Sequence, residues 1–414
     1  MHGRHLLAAL ALATSLALGA CGVGADEGGS GARAINWYAF NEPGGSYQMA
    51  VDNCNEQANG RYTINYVKLP NIADQQRELL VRRLAAEDDD IDLASLDVIW
   101  TSEFAQAEWI LPWEGERRSA AEEGKLEGPL DTVRYQDQIW AIPHTSNTQL
   151  LWYRKDRVDP PPDDFTWDEM IDQAVENGTA VEVQAAQYEG LVVWINALIA
   201  GAGGQIVNEQ GEAAVDESAQ RAAEIESKLA NSPAAPPGMS TNREDQGRQG
   251  FEAERADYQV NYSFIYASAE AIEGFQDKIG WARYPRTDED KPSRPPLGGF
   301  NIAVSAYSNN PDLAFEAAEC LASPENQALS AELGGLPPTT ESVYDNPKVQ
   351  EAFPFADLMR ESIDNAAPRP VTPAYSDISL AIQKTYHPPD GVDSDGIVEQ
   401  LRDRIDKAAD GKIF

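Results

Sequence analysis

The sequence has few of the residues that build metal centres and nucleophilic active sites. It contains three cysteines and four histidines, and two of those histidines, His2 and His5, precede an apolar N-terminal run. The other two, His144 and His387, have no catalytic or metal-binding partner at a recognisable spacing. No zinc or nucleophile motif is recognisable elsewhere. We therefore expect a protein that is not an enzyme, with no cofactor and no bound metal.

Positive charge is also scarce. Thirty-two Lys and Arg residues stand against 68 Asp and Glu residues, which gives a formal net charge of −36. Such a field repels phosphate backbones and anionic lipid headgroups, so we expect no nucleic acid partner. Solubility outside the cell is a sufficient reason for so acidic a chain, and the charge itself says little about a ligand.

The N-terminal apolar run is too short for an ordinary membrane span. This run, Leu6–Leu18, has the layout of a secretory signal, and Leu18–Cys21 resembles a bacterial lipobox, in which the cysteine becomes the lipidated first residue. We assign residues 1–20 to a lipoprotein signal peptide, and residues 21–33 to the lipidated Cys21 and a flexible, glycine-rich tether. A plain signal peptide with an incidental cysteine is the alternative. The folded body is then expected on the extracellular face of the cell membrane, attached to the membrane only through the lipid.

Once Cys21 is assigned to the anchor, two cysteines remain, Cys54 and Cys320. An even pair in an exported chain favours a disulfide, because that compartment is oxidising. Two buried free thiols are the alternative. A disulfide would require the chain to return late to the domain in which it began.

The acidic run Glu87–Asp92 invites a calcium site. It lacks the glycine and the closing glutamate at the offsets of an EF-hand loop. We interpret it as a solvated turn.

The first hundred ordered residues alternate strand and helix patterns. Strands are predicted at Ala34–Phe40, Tyr62–Leu69 and Ser95–Trp100, with helices at 46–58 and 73–86 between them. This alternation is typical of a parallel sheet. At 414 residues the chain exceeds what one hydrophobic core usually serves, so about two domains are expected.

Ligands bind such sheets outside the carboxyl ends of the strands. That rule indicates Asn41 and Glu42 after the first strand, and Asp97 and Trp100 at the third. A carboxylate beside an indole suits a sugar, whose hydroxyls donate to the oxygens while its apolar face rests on the ring. For Asp97 alone, a capping or solvated loop carboxylate is the alternative.

A series of short motifs resembles the extracellular sugar-binding proteins of ABC importers. The motifs occur in the order seen in that family, at residues 36–38, 97–100, 140–143, 151–156, 165–170, 188–190, 297–304 and 322–327. The resemblance implies an α/β, periplasmic-binding-protein-like fold, in which two α/β lobes are joined by a multi-stranded, type II-like hinge. It also implies lobe 1 at 34–147 and 298–337, and lobe 2 at 148–297 and 338–414.

Within this family the chain looks most like actinobacterial trehalose-binding lipoproteins. Their sugar-binding side chains fall here on Asp97, Asn147, Glu244 and Arg369, with Glu42 and Asn41 as further contacts. Tyr262 stands where those relatives carry a tryptophan, which keeps a stacking face but shrinks it. Other roles are a hinge hydrogen bond for Asn147, an exposed helix face for Glu244 and ordinary core packing for Tyr262.

The resemblance implies capture of a ligand without chemistry. The protein would be the lipid-anchored substrate-binding component of an ABC sugar importer, a monomer that binds trehalose or a related α-linked disaccharide and docks on permease subunits with a cytoplasmic ATPase. The alternatives are a maltose- or oligosaccharide-binding protein, an exported glycosidase with two acids flanking the scissile bond, and an adhesive lipoprotein.

Overall fold

The computed structural model describes residues 32–70, 72–208, 211–409 and 411. The predicted signal peptide and the anchor residue Cys21 lie outside the described residues, and so do tether residues 22–31. Within the described part of the chain, no helix is both long and apolar enough to cross a membrane.

Strands and helices alternate through the first half of the chain, and helices dominate the last quarter. The strands are β1 (Arg33–Phe40), β2 (Tyr62–Leu69), β3 (Leu93–Asp97), β4 (Arg134–Tyr135), β5 (Gln138–Ile139), β6 (Ile142–Asn147), β7 (Leu150–Arg154), β8 (Ala180–Glu182), β9 (Ala256–Asn261), β10 (Ile279–Ala282) and β11 (Gly298–Val304).

The helices of the first two thirds of the chain are α1 (Ser46–Gln57), α2 (Ala73–Leu84), α3 (Thr101–Gln106), α4 (Gly115–Glu122), α5 (Glu127–Asp131), α6 (Trp167–Asn177), α7 (Glu189–Gly201), α8 (Glu217–Ala230), α9 (Glu244–Glu252) and α10 (Phe264–Glu270). Those of the last third are α11 (Pro311–Leu321), α12 (Pro324–Gly334), α13 (Pro347–Ala352), α14 (Ala356–Asp364), α15 (Tyr375–Thr385) and α16 (Ile397–Ala409).

Lobe 1 is built on a five-stranded sheet with the order β2-β1-β3-β11-β6. β1 pairs in parallel with β2 and β3, as the alternation of strand and helix predicts, whereas β11 runs antiparallel to β3 and β6. Both faces of the sheet are covered, since the strands contribute to one core with α1, α2 and α11. The late strand β11 therefore returns the chain to the lobe in which it began.

The third strand ends earlier than the sequence predicts. It stops at Asp97, and Val98, Ile99 and Trp100 form a turn that leads into α3. The Asp97 carboxylate accepts the N–H of Ile99 at 3.3 Å, and the Asp97 carbonyl accepts the N–H of Trp100 at 2.9 Å. The prediction of a strand through Trp100 was wrong, because an apolar run does not reveal that the aspartate before it turns the chain.

Lobe 2 is built on a four-stranded sheet with the order β10-β7-β9-β8. Helices α6, α7, α8, α15 and α16 share one core with this sheet. α6 begins at a capping box in which Thr166 and Glu169 satisfy each other's backbone amides. α7 is apolar on nearly every side and is buried along almost its whole length, so it forms the centre of the lobe.

The chain passes between the sheets at three places. β6 of lobe 1 leads into β7 of lobe 2, β10 leads back to β11, and residues 337–340 run beside β6 before the chain leaves again. At the third place the N–H of Ser146 donates to the Pro337 carbonyl at 2.9 Å. A third core lies at this junction, where α12, α13 and α14 pack against Leu150 and Trp152.

A disulfide joins Cys54 in α1 to Cys320 in α11, with a Cα–Cα distance of 5.9 Å. Both helices pack on the lobe 1 sheet, and 266 residues separate the two cysteines in the sequence. The bond therefore ties the first segment of lobe 1 to the segment that returns after lobe 2. Native disulfides of this kind typically stabilise a fold by about 2–5 kcal/mol.

Candidate functional site

A cavity of about 280 Å³, which we call the central cavity, lies between the two lobes. Both lobes contribute polar side chains and rings to it. Its lining from lobe 1 includes Ile72, Asp74, Asp97, Asn147, Gly298 and Phe300. Its lining from the opposite side includes Tyr188, Glu189, Val193, Glu244, Tyr262 and Arg369. A larger groove of about 750 Å³ lies at the outer edge of lobe 2 beside β8, and the described residues that line it all belong to lobe 2.

Arg369 is the centre of the polar contacts at the central cavity. Its Nη1 donates to Glu189 Oε1 at 2.6 Å, and its Nη2 donates to Asp97 Oδ1 at 3.2 Å. The side chain is 3% exposed, and burial by itself lowers its pKa, but the two carboxylates outweigh burial and raise that pKa well above its usual value. One guanidinium thus joins the end of β3 in lobe 1 to the start of α7 in lobe 2.

Backbone contacts fix the position of Arg369. The residue lies between Pro368 and Pro370, which restrict the chain on both sides. The Pro368 carbonyl accepts a hydrogen bond from Asn196 Nδ2 at 3.2 Å, and Ala367 pairs with Pro296 in a parallel bridge. The segment is therefore held against both α7 and the crossing that leads into β11.

Asp97 lies at the carboxyl end of β3, where the sheet rule places ligands. Burial raises the pKa of its carboxyl group, and the attraction of Arg369 opposes that rise. Because its Oδ1 accepts from both Arg369 and the Ile99 N–H, the carboxylate is held in one place. It can still accept a hydrogen bond from a hydroxyl group in the cavity.

Glu189 is a site residue that the sequence reasoning did not assign. It is the first residue of α7, and its carboxylate accepts hydrogen bonds from Arg369, from the hydroxyl of Tyr375 and from the hydroxyl of Ser379 at 2.6 Å. Burial raises the pKa of this group against the effect of those three donors. An acid at the start of an almost wholly apolar helix was the available signal, since a helix N-terminus attracts negative charge.

Three further predicted residues, Asn147, Glu244 and Tyr262, line the central cavity. Asn147 ends β6, and its buried Oδ1 has no hydrogen-bond partner within the described residues. Tyr262 follows β9, and burial raises the pKa of its hydroxyl. Asn261 positions both Glu244 and Tyr262. Its Oδ1 accepts the Tyr262 N–H at 2.9 Å, and its Nδ2 donates to the Glu244 carbonyl at 3.0 Å.

Tyr188 is a second residue that the sequence reasoning did not assign. Its ring lies under the guanidinium of Arg243, 4.7 Å from Cζ to the ring centroid. Its hydroxyl is buried beside Glu244 and makes no close hydrogen bond in the described part of the chain. A side chain at Gly190 would lie 2.1 Å from that hydroxyl. Only glycine at position 190 therefore allows the tyrosine to face the cavity in this position.

Three predicted contacts, Glu42, Asn41 and Trp100, do not line the central cavity. Glu42 is buried at the start of α1, where its carboxylate accepts the N–H groups of Gly44 and Ser46 and the Ser46 hydroxyl at 2.8 Å. The free amides of a helix N-terminus attract a carboxylate, so Glu42 has a structural role in place of the predicted ligand contact.

Trp100 is 3% exposed and stacks on Phe104 in the core of lobe 1. The turn after Asp97 directs its indole into the sheet-helix packing and away from the cleft. The aromatic rings at the central cavity are instead those of Tyr188, Tyr262 and Phe300.

The acidic run does bring three carboxylates together. Oxygens of Asp88, Asp89 and Asp90 lie within 4.8 Å of one another. Arg83 donates to Asp88 and lies 3.7 Å from Asp90, so a guanidinium already pairs with two of the three carboxylates. The arrangement fits a solvated turn better than a cation site.

The geometry of the central cavity suits a neutral polyhydroxy ligand. Carboxylate and amide oxygens accept hydrogen bonds from hydroxyls, the guanidinium donates, and three aromatic rings offer apolar faces. Both buried carboxylates, Asp97 and Glu189, are bound to the same arginine. That arrangement positions them to hold a ligand and does not leave one free as a proton donor.

The fold is shared with several solved sugar-binding proteins. Maltose-bound MalE3 of T. maritima has a TM-score of 0.81 at 24% identity, covering 90% of this chain and 99% of that one. The GacH receptor of Streptomyces glaucescens GLA.O, solved unliganded and with acarbose, has a TM-score of 0.79 at 20% identity, covering 92% and 100%. At such identities the likeness bears on the fold alone, which is the predicted two-lobed, periplasmic-binding-protein-like fold.

Sequence comparison gives the family. The chain is 27% identical over 335 residues to a probable ABC transporter-binding protein of Deinococcus radiodurans, covering 75% of this chain and 77% of that protein. The family model described as bacterial extracellular solute-binding protein matches residues 41–328, about 70% of the chain. With two α/β lobes around a polar cleft and a family match of that length, the chain belongs to the bacterial extracellular solute-binding proteins.

Proposed function

We propose that this protein is the substrate-binding component of an ABC sugar importer and holds an α-linked disaccharide in the central cavity. The observation that carries the proposal is the position of Arg369, which joins a carboxylate of lobe 1 to a carboxylate of lobe 2 at a cavity lined by both. The relative named as an ABC transporter-binding protein and the sugar-bound structures of the same fold support it.

Binding of the sugar would favour the closed arrangement of the lobes. Asp97 and Asn147 belong to lobe 1, whereas Glu189, Glu244 and Tyr262 lie across the cleft. A ligand that bonds to both sets is held more tightly when the lobes are closed, and this difference in affinity is what shifts the population. The closed form would then dock on permease subunits driven by a cytoplasmic ATPase.

Closure needs a hinge, and we propose that the three crossings form it. Lobe 1 would comprise residues 34–147 and 298–337, and lobe 2 residues 148–297 and 338–414. The short connection between β6 and β7 and the return of the chain from β10 to β11 support these boundaries, as does the pairing of 337–340 with β6. A few residues in such connections can absorb the rotation of two rigid lobes.

Trehalose and maltose are both candidate ligands. The resemblance to trehalose-binding lipoproteins favours trehalose, and the maltose-bound structure of the same fold favours maltose. Tyr262 offers a smaller stacking face than a tryptophan would, and the cavity of about 280 Å³ is near the lower end of usual ligand sites. Either disaccharide is therefore preferred over a bulky ligand in this cavity.

The cellular setting is part of the proposal. We propose that Cys21 carries a lipid, that the protein is anchored on the extracellular face of the membrane, and that it acts as a monomer. Metabolic labelling with an alkyne fatty acid should mark the wild-type protein, and Cys21→Ser should remove the label. A label that persists in Cys21→Ser would contradict the anchor.

Isothermal titration calorimetry of the purified protein with trehalose, maltose, sucrose and glucose tests the function. Saturable binding of an α-linked disaccharide, with no glucose released after prolonged incubation, is the expected result. Release of glucose would instead indicate a glycosidase. Absence of binding to every sugar would overturn the proposal.

A further inference from the structure

A buried carboxyl group lies behind the lobe 2 side of the central cavity. Glu182 ends β8 and is 2% exposed. Side chains alternate across a strand, so Glu182 shares a face with Ala180, which packs in one core with Phe251 of α9, whereas Val181 faces the core on the other side of the sheet. Glu182 does not line the central cavity. Any effect that it has on a ligand must therefore act through its neighbours.

Helix α9 approaches Glu182 closely because two of its residues are glycines. A side chain at Gly250 would lie 1.9 Å from Glu182 Oε1, and one at Gly247 would lie 3.6 Å from Glu182 Cβ. The two glycines are three residues apart, which places them on one face of the helix. The position of α9, and with it that of Glu244 in its first turn, thus depends on the space that the Glu182 side chain occupies.

Asn242 connects Glu182 to the segment before α7. Its Nδ2 donates to Glu182 Oε2 at 3.2 Å, and its carbonyl accepts the N–H groups of residues 185–186 at 3.1 and 3.0 Å. Tyr188 follows two residues later, and Arg243, next to Asn242 in the sequence, lies over its ring. The hydrogen bond to Glu182 therefore fixes a residue that holds both of these side chains.

Four residues that line the central cavity depend on this packing, and we call them the lobe 2 wall: Tyr188, Arg243, Glu244 and Tyr262. The last two are positioned by Asn261. Asn261 meets α9 at one of the same glycines, since a side chain at Gly247 would lie 3.9 Å from its Nδ2. The segments that carry the lobe 2 wall thus come together around the Glu182 carboxyl group.

The charged groups around Glu182 leave it without a close cation. Those on the elements beside it are Arg243 before α9, Glu244, Asp245, Arg248 and Glu252 on α9, Glu254 and Arg255 after it, and Asp257 on β9. Helix α6 lies on the opposite face of β8, and the loop 232–238 beside β8 carries no charge. Of these groups only Arg255 affects the pKa of Glu182, and it lowers that pKa by less than burial raises it.

The neutral form of Glu182 fits this position better than the ionised form. Burial raises the pKa of the carboxyl group to about 7. An ionised carboxylate would be held in the interior by a single amide donor, which is unfavourable, so ionisation favours a shift that brings water or Arg255 closer. Because Glu182 fills the space beside Gly250 and holds Asn242, such a shift moves the lobe 2 wall.

We propose that Glu182 is a positioning residue of the sugar site, and that its carboxyl group holds the lobe 2 wall in the binding arrangement only while it carries a proton. This inference rests on the proposed function and adds pH control to it. The folded protein keeps the proton below about pH 7 and loses it above. By linkage, sugar binds more weakly as pH rises through that value, and binding takes up protons there.

Calorimetry with trehalose and with maltose, from about pH 5.5 to about pH 8.5, tests the inference in wild type and in Glu182→Gln. Wild-type affinity should fall about threefold to tenfold over this range. Glu182→Gln has a neutral side chain of the same shape, so it should lose the dependence and keep the affinity of acidic wild type to within about twofold. The matched control is Glu226→Gln, which removes an equally buried carboxyl group on α8 and should keep the wild-type pH profile.

Glu182→Ala separates positioning from charge. Alanine is neutral but too short to fill the space beside α9, so sugar affinity should be low at every pH and should not recover in acid. If Glu182→Ala binds as tightly as Glu182→Gln, the side chain does not position the lobe 2 wall, and the inference is overturned.

Proton uptake by the wild-type protein covers the case in which a variant does not fold. Titrations at about pH 7 in two buffers of different ionisation enthalpy should show a net uptake of protons when sugar binds. No uptake would overturn the inference, and so would identical pH profiles for wild type and Glu182→Gln, while the proposed function would remain intact. Binding of neither sugar at any pH would instead refute the proposed function.

Discussion

Buried acidic side chains in two regions of this protein have opposite surroundings. At the cleft, Asp97 and Glu189 share the guanidinium of Arg369, and Glu189 also accepts hydrogen bonds from two hydroxyls. In the interior of lobe 2, Glu226 on α8 is fully buried, and neither of its carboxyl oxygens has a partner within the described residues. The buried acids of the cleft thus share a cation, whereas Glu226 is buried with no charged partner among the described residues.

The pKa values follow this difference. Burial raises the pKa of all three acids, but Arg369 opposes the rise at Asp97 and Glu189, whereas nothing opposes it at Glu226. Burying an ion pair usually adds little net stability compared with apolar packing. The cleft cluster is therefore explained better by its position, where it can exchange hydrogen bonds with a ligand and join two lobes.

Arg369→Ala should have the largest effect, since it leaves Asp97 and Glu189 buried without a cation. Removing one partner of a buried ion pair costs about 3–5 kcal/mol. Urea unfolding should show a loss of that size, and sugar binding should disappear. Glu226→Gln provides the contrast, because it breaks no ion pair and should leave sugar affinity unchanged. If Arg369→Ala is as stable as wild type, Asp97 and Glu189 do not need a cation, and the cleft does not differ from the core in this respect.

Glu182 is a further buried acid, and its surroundings are intermediate between those of the cleft acids and those of Glu226. It lies at the end of β8, is 2% exposed, and accepts one hydrogen bond from Asn242 Nδ2 at 3.2 Å. Burial raises the pKa of its carboxyl group to about 7, against smaller opposing effects of Arg255 and Asn242. α9 packs directly on it, since a side chain at Gly250 would lie 1.9 Å from its Oε1.

The raised pKa of Glu182 predicts a loss of stability as pH rises. Below its ordinary pKa of 4.5 the folded and unfolded states both hold the proton, and between 4.5 and about 7 only the folded state does. At about 1.4 kcal/mol per pKa unit, the penalty reaches about 3 kcal/mol above pH 7. Glu182→Gln should remove it, so the variant should gain stability over wild type between pH 5 and pH 8 in urea titrations. Parallel stability profiles for the two proteins would refute this.

Asp97→Ala tests the cleft without removing its cation. Loss of a charge-assisted hydrogen bond of about 1.5–3 kcal/mol should weaken sugar affinity by tenfold or more in calorimetry. Arg369 keeps Glu189 as a partner, so the stability loss should be smaller than in Arg369→Ala. An unchanged binding isotherm would exclude Asp97 from the site.

The parallel part of the lobe 1 sheet was predictable from sequence because its signals are local. The alternation of apolar and polar side chains, with the turn residues that end it, predicted β2 at its observed bounds and β1 to within one residue. The pair Cys54 and Cys320 already indicated that the chain returns to its first domain. The strand β11 and the place of Arg369 came only from family resemblance, since no local pattern shows which sheet a late strand joins.

Glu42 shows why the site was harder to predict than the sheet. An acid in the loop after a strand can face a ligand or cap the next helix, and the sequence pattern is the same in both cases. The hydrogen bonds to Ser46 decide for the cap. Glu189 was missed because its role depends on distant residues. Its partners Arg369 and Tyr375 lie at least 180 residues away in the sequence.

Tyr188→Phe should have the smallest effect and gives the finest distinction between cleft and core. Tyr188 lines the central cavity with its hydroxyl beside Glu244, and Tyr284 lies in the lobe 2 core. Both hydroxyls are buried, and neither makes a close hydrogen bond in the described chain. Removing an unpaired buried hydroxyl should preserve or slightly raise the melting temperature in both Tyr188→Phe and Tyr284→Phe. Only Tyr188→Phe should also weaken sugar binding, by about threefold to tenfold, because a ligand in the cleft can supply the missing acceptor. If both variants bind sugar as wild type does, the Tyr188 hydroxyl makes no hydrogen bond to the sugar and contributes no more to binding than the core hydroxyl of Tyr284.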